Sequence, residues 1–172
     1  YALMRRPQEG EYGAYYQGYI DQTRGADVLQ NLEDSSDMLL EFLENLPAKK
    51  RDFSYAEGKW TIHQMLQHIV DCDLVFTYRA LWMARGGEPT LPGFEQDDWA
   101  DKSMEALTGW DELITQFKNL RNYSMGLFHS FPEKVLDNQA IVSGHSTLLR
   151  SIPFIIAGHT FHHVAILKTR YL

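Results

Sequence analysis

The chemistry open to this sequence rests first on three histidines, His68, His159 and His163. His159 and His163 stand four apart in Gly158-His159-Thr160-Phe161-His162-His163. In a helix that spacing stacks two imidazoles one turn apart on one face, within reach of a single ion. Ile152, Ile155, Ile156 and Ile166 bracket the pair at about 100° per residue, so the shared face is the apolar one. Bare imidazoles aimed into a core would leave ring nitrogens unpaired, at roughly 1–3 kcal/mol each. A shared metal ion removes that cost. A histidine pair at this spacing is, taken alone, more often packed or at the surface than ligating. A third histidine on another inward face shifts the balance, and His68 supplies it, among Met65, Ile69, Cys72 and Val75 at the margin of an apolar face.

Three imidazoles leave a coordination position open, which is the pattern of a catalytic metal. A bound water would be acidified there, or a thiol held as thiolate. Imidazole suits several ions. The expected occupant is one divalent transition-metal ion, zinc or nickel first, with iron, cobalt and manganese also compatible. Thr160 follows His159, so this is not the H-E-x-x-H motif of metalloproteases. No histidine has Glu three residues before it, so the Glu-x-x-His pairs of di-iron bundles are absent. Cys72, one turn after His68, is read as a packing residue, the usual role of a lone buried cysteine; ligand or nucleophile is the lesser alternative. His162 lies at the edge of the same arc, beside the ligands or half exposed. His63 points elsewhere, and His129 and His145 read as surface residues near loop ends. There is no phosphate-cradling glycine loop.

The elements that must position these residues are helical. Val28, Leu29, Leu32, Met38, Leu39, Phe42, Leu43 and Leu46 recur at steps of mostly three or four, giving a first helix over 26–46 that Pro47 stops. Residues 47–59 read as loop. Thr61 and Gln64 fit a capping box opening a second helix that runs to about Arg85 and ends at Gly86-Gly87. Residues 87–102, with Pro89, Pro92 and Gly93, read as a long connection, unusual enough to suggest a function. A third helix is expected over 103–131, striped by Leu107, Trp110, Leu113, Ile114, Phe117, Leu120, Leu127 and Phe128. Residues 132–146 read as loop, with extended structure around 139–142. The last helix is expected over 147–171, and Pro153 either opens it or kinks it. The Tyr- and Gly-rich residues 1–23 read as an arm that packs Tyr12, Tyr15, Tyr16 and Tyr19 on the body, with a short helix near 12–21. The fold class is all-α: four helices in one domain over 1–172, with connections long enough to escape simple up-down-up-down order.

Composition bounds the function. A net charge of -7 argues against nucleic acid, which needs a basic stripe. The longest basic run, Lys49-Lys50-Arg51, reads as a solvated turn. A single cysteine allows no internal disulfide. No run approaches the roughly 18–20 apolar residues of a membrane span, and no signal-peptide run stands near Tyr1. The expected compartment is the cytoplasm.

With these residues in view, the chain resembles the DinB/YfiT-like superfamily of metal-binding four-helix proteins. Lys59-Trp60-Thr61-Ile62-His63-Gln64-Met65-Leu66-Gln67-His68-Ile69-Val70-Asp71 is similar to the family's Trp, helix start and H-[IL]-x-D. Residues 155–163 are similar to its G-H-x-x-H-H helix, and Arg170-Tyr171-Leu172 to its R-Y-L ending. Tyr78-Arg79-Ala80-Leu81, Ala84-Arg85-Gly86 and Leu91-Pro92-Gly93-Phe94 extend the likeness over nearly the whole chain. One departure is Asp73, where many relatives carry Glu. The resemblance implies the same triad, His68, His159 and His163, and a four-helix bundle of the DinB/YfiT-like type. It also implies a thiol-dependent S-transferase, in which the metal presents a low-molecular-weight thiol as thiolate to an electrophile. Asp71, Arg79 and His162 are then candidates for supporting the ligands or binding the thiol, against plain ion pairing on helix surfaces. Two alternatives stand beside it: hydrolysis with a metal-bound hydroxide, and a non-enzymatic metal-stabilised stress or binding module. The partners expected are small molecules, with a homodimer compatible and neither nucleic acid nor membrane.

Overall fold

A computed structural model describes residues 5–86, 90–104, 106 and 108–172. Its helices are α1 (Gln17–Ile20), α2 (Val28–Glu44), α3 (Ile62–Ala84), α4 (Gln96–Ser103), α5 (Trp110–Ser130) and α6 (Ser151–Arg170). Its strands are β1 (Thr90–Leu91), β2 (Gln139–Val142) and β3 (His145–Leu148). The long helices α2, α3, α5 and α6 form the bundle. α2 packs on α6 and α5, and α3 packs on α6 and α5. Helices consecutive in the chain, α2 with α3 and α5 with α6, therefore face each other across the bundle, which is what the long connections permit. No helix among the described residues is long and apolar enough to cross a membrane.

Several expectations need correction. The third helix does not run unbroken over 103–131. The chain forms α4, then a break, then α5 from Trp110 with Gly109 as its N-cap. The break is fastened to α3, because the Thr108 N–H donates to Gln67 Oε1 and the Thr108 carbonyl meets His63 Nε2 at 2.8 Å. Each new helix opens with acids, Asp97 and Asp98 in α4 and Asp111 and Glu112 in α5. They favour the positive end of the helix dipole. The supposed loop over 87–102 thus contains β1 and most of α4; Gly87, Pro89 and Leu107 lie outside the described residues.

The second correction is a small sheet. β1 runs parallel to β2, pairing Thr90 with Ile141 and Leu91 with Val142, and β2 runs antiparallel to β3. Ser143 and Gly144 join β2 to β3 with φ of 50° and 83°. Two positive φ values in a two-residue loop suit the right-handed twist of a hairpin. Ala140 and Val142 point inward while Gln139 and Ile141 face out.

Thr147 belongs to β3, so the last helix starts later than expected. Pro153 sits in the first turn of α6, where its missing N–H costs no intrahelical bond, so it opens the helix. Every residue from Ser151 to Thr160 is buried. The front half of α6 is therefore a central helix, apolar on all sides, where the sequence suggested one stripe. Two apolar clusters fill the bundle. One gathers Val28, Leu32, Phe76, Phe128, Ile155 and Ile156; the other gathers Leu39, Leu66, Leu113, Phe117, Val164 and Leu167. Between them on α3 and α6 lie the buried polar residues of the candidate site.

Candidate metal centre

Local chemistry fixes where each histidine stands. Thr61 Oγ1 accepts from the Gln64 N–H at 3.0 Å, and Gln64 Oε1 accepts from the Thr61 N–H at 2.8 Å. This capping box sets the first turn of α3, and His68 follows on the second turn. On α6, Gly158 precedes the histidines. A Cβ there would lie 1.9 Å from the Tyr19 carbonyl oxygen, so only glycine lets α1 sit against α6 at this point. The Tyr19 ring then stands 5.2 Å from the His159 ring and 5.1 Å from that of His162. The arm roofs the site, held in turn by Arg6, which donates to the Ile20 carbonyl at 2.9 Å.

The three predicted histidines converge. His68 Nε2 lies 3.0 Å from His159 Nε2, and His163 Nε2 lies 3.0 Å from the same atom. All three are buried. Burial holds His68 down at about 4, and holds His159 and His163 well below the ordinary imidazole range, with the neighbouring imidazoles adding to it. The rings are therefore neutral at pH 7, each with one N–H and one lone pair. No choice of tautomers satisfies them. His159 Nε2 faces two nitrogens but offers either one proton or one lone pair, and the Nδ1 atoms of His159 and His163 are buried without a partner among the described residues. A cation meets the same geometry differently. Nitrogens each about 2.1 Å from one ion stand roughly 3.0–3.4 Å apart for bond angles between 90° and tetrahedral. The residues present fit an ion.

Cys72 is packed in the core, as expected, and also borders the cluster. Its Sγ lies 3.6 Å from Nδ1 and 3.8 Å from Nε2 of His68. His68, Cys72 and His159 each offer a donor atom within 4.8 Å of the others. Two clefts reach the cluster. One, about 320 Å³, is lined by Tyr15, Tyr16, Tyr19, Phe76, Phe94, Glu95, Asp97 and Ser143 and ends on Cys72 and His159. The other, about 660 Å³, reaches His163 past Tyr55, Trp60, Asp101 and Met104. Asp97, on α4, lines both.

The remaining candidates are placed differently. The Asp71 carboxylate accepts from Gln67 Nε2 at 2.9 Å, so it braces the residue that holds Thr108 and makes no hydrogen bond to an imidazole. Arg79 is buried and donates to the Pro92 carbonyl at 2.8 Å, between the Phe76 and Phe94 rings. This fixes the wall of the first cleft, and Arg79 is not in an ion pair among the described residues. His162 is half-buried, its ring 5.2 Å from that of His163. His63 serves the α4–α5 break, and His129 and His145 are exposed.

Sequence reasoning missed Arg121. Its guanidinium is buried at the centre of the bundle and joins four helices. It donates to Asp73 Oδ2 at 2.8 Å on α3, to the Leu32 carbonyl and the Ser35 and Ser36 hydroxyls on α2, and to Thr160 Oγ1 at 2.9 Å on α6. Thr160 adjoins His159, so this network sets the relation of α3 to α6 next to the histidines. Burial raises the Asp73 carboxyl and Arg121 draws it back down. The signal in the sequence was a charged residue, Arg121, on the buried stripe of α5 beside Phe117 and Leu120.

Comparison with known proteins bears on the family and the fold. Residues 31–167 match the family model of the DinB superfamily. A protein of Oceanobacillus iheyensis that carries the name of a putative metal-dependent hydrolase is 26% identical over 145 residues, covering 81% of each chain. A protein of Bacillus mycoides with the same name is 26% identical over 141 residues, covering 80% of this chain and 79% of its own. The solved structure of YfiT from Bacillus subtilis, described as a probable metal-dependent hydrolase with an unusual four-helix bundle topology, superposes with a TM-score of 0.73 at 16% identity, covering 94% of this chain and 89% of that one. The fold is that of the YfiT bundle, and the chain belongs to the DinB superfamily.

Proposed function

We propose that His68, His159 and His163 hold one divalent transition-metal ion and that the protein is a metal-dependent enzyme acting on small molecules in the cleft beside His159. The observation that carries this reading is the convergence of three buried neutral imidazoles that no arrangement of protons satisfies. Bound there, the ion would supply Lewis-acid activation of a nucleophile and polarisation of an electrophile. The chain's own residues do the rest. The tyrosines of the arm close one side of the cleft and exclude water from the imidazoles. Phe76 and Phe94 give it an apolar wall, and Glu95 and Asp97 bring carboxylates to the same space. Hydrolysis fits these carboxylates and the names of the relatives.

Thiol-dependent S-transfer is the second reading, and charge favours it. Arg79 is a buried guanidinium directly behind Phe94 and Ser143, with no carboxylate partner among the described residues. Its field suits an anionic low-molecular-weight thiol in the cleft.

The test is metal content of untagged protein by mass spectrometry, for the wild type and for His68→Ala, His159→Ala and His163→Ala. About one ion per chain, lost in each variant, is expected. A wild type that stays metal-poor after incubation with zinc, nickel, iron, cobalt and manganese would overturn the reading. With the loaded protein, turnover of activated esters and amides without thiol supports hydrolysis. Consumption of an electrophile in proportion to added thiol supports S-transfer.

A further inference from the structure

We infer that the cleft ending on His159 takes a small molecule carrying an ammonium group, held at the mouth of the cleft while the rest of the molecule reaches down to His159. The inference rests on the reading of this cleft as the substrate site and names the substrate class. Tyr15, Tyr16, Tyr19, Phe76 and Phe94 line the cleft. Their rings stand to one another like walls. Tyr15 meets Tyr16 at 84° and Tyr19 at 86°, with centroids 5.2 and 5.9 Å apart, and Tyr16 meets Phe76 at 82°. Aromatic rings grouped around a small space form cages for ammonium groups, which the negative ring faces attract. A volume of about 320 Å³ lies at the small end of ligand pockets.

The charges in the lining have one sign. Glu95 and Asp97 bring carboxylates, and among the described residues no lysine or arginine lines the cleft. These two acids are not otherwise engaged. Asp98, beside them at the start of α4, pairs with Lys102 at 2.6 Å. Glu95 makes no side-chain cap to α4, and neither Glu95 nor Asp97 has an ion-pair or hydrogen-bond partner among the described residues. Both are exposed, while His159 at the other end is buried with its Nδ1 unpartnered. The cleft therefore changes character along its length, with carboxylates and rings at the mouth for a cation and the imidazoles at the floor. The anionic thiol of the second reading asks for the opposite sign at the mouth. Arg79 lies behind that wall, with its N–H groups on the Pro92 carbonyl and the Ser143 hydroxyl.

The probes are choline, its uncharged isostere in which carbon replaces nitrogen, and the tert-butylacetate anion. Each is titrated into the full chain, metal-free and zinc-loaded, and followed by amide NMR. Choline is expected to bind on the order of 10-fold more tightly than the isostere, with shifts centred on Tyr15, Tyr16, Tyr19 and Phe94, in both forms of the protein. Glu95→Gln combined with Asp97→Asn is expected to cut that preference several-fold and to leave the isostere unaffected, because a neutral ligand gains nothing from the carboxylates. Equal affinities for choline and the isostere overturn the inference and leave Glu95 and Asp97 as acids at a helix start. So do tighter binding of tert-butylacetate to the metal-free chain, choline shifts outside the cleft, or no binding of any probe. The metal-free titration separates this outcome from that of the metal reading. A chain that takes up no metal and still prefers choline in this cleft keeps the inference and loses the metal centre. A chain that takes up metal and shows no preference keeps the centre and loses the inference.

Discussion

Two buried polar clusters lie side by side on α3 and α6, and they differ in how far they complete themselves. Around Arg121, six donor–acceptor contacts within 3.2 Å tie the guanidinium on α5 to three other helices, and only Asp73 Oδ1 is left over. Around His159, three nitrogens converge and two others stand unpaired. A buried polar group costs free energy unless it is hydrogen-bonded. The first cluster has met that requirement from the protein and acts as a clamp. The second has not, which is the mark of a place that expects something from outside the chain.

The comparison can be broken most decisively at Arg121. Arg121→Met leaves the Asp73 carboxylate buried without its counter-charge and is expected to cost about 3–5 kcal/mol of unfolding free energy. A loss under about 1 kcal/mol in urea denaturation would show that the network is not the clamp described here. The next largest effect is on acid stability of the metal-free protein. A histidine whose folded-state pKa lies below its unfolded value stays neutral in the fold while the unfolded chain takes up the proton. Stability is then full above the ordinary value of 6.5 and is lost as pH falls towards the folded value, about 4 for His68. A shift of that size corresponds to about 3 kcal/mol. The expected result is a steeper loss of stability between these values in the wild type than in a variant with His68, His159 and His163 all replaced by Leu. Parallel curves would mean the imidazoles are not held neutral by burial.

Smaller effects sharpen the contrast by their sign. In metal-free protein, replacing His68, His159 and His163 together by Leu removes the unsatisfied groups and their partners at once and is expected to leave stability unchanged or raise it by about 1 kcal/mol. The same variant should lose the stabilisation that zinc gives the wild type, about 2.7 kcal/mol at a hundredfold excess over Kd. A marked loss of stability without metal would make the three histidines core residues like any others. Ser35→Ala removes one of several partners of Arg121 and should cost about 1 kcal/mol, read as a small shift in the thermal midpoint.

Part of this molecule was legible residue by residue. The capping box at Thr61, the helices ending near Leu46 and Arg85, and the inward faces of His68, His159 and His163 all follow from local rules. Capping and periodicity are properties of adjacent residues, and they carry over into any helix the segment joins. The break between α4 and α5 was not legible, because Thr108 is held by Gln67 and His63 from another helix. The hairpin after Asn138 was seen only as extended chain, since its partner strands are short and one lies fifty residues away.

What the sequence determined by itself is therefore the set of helices and which face of each carries a histidine. The tertiary structure decided that the three imidazoles meet at one point, that Gly158 yields room for the tyrosine arm, and that Arg121 locks the helices in register. The physical reason is the same in each case. A helix fixes directions within a turn or two, whereas the distance between side chains on different helices depends on how the whole bundle packs.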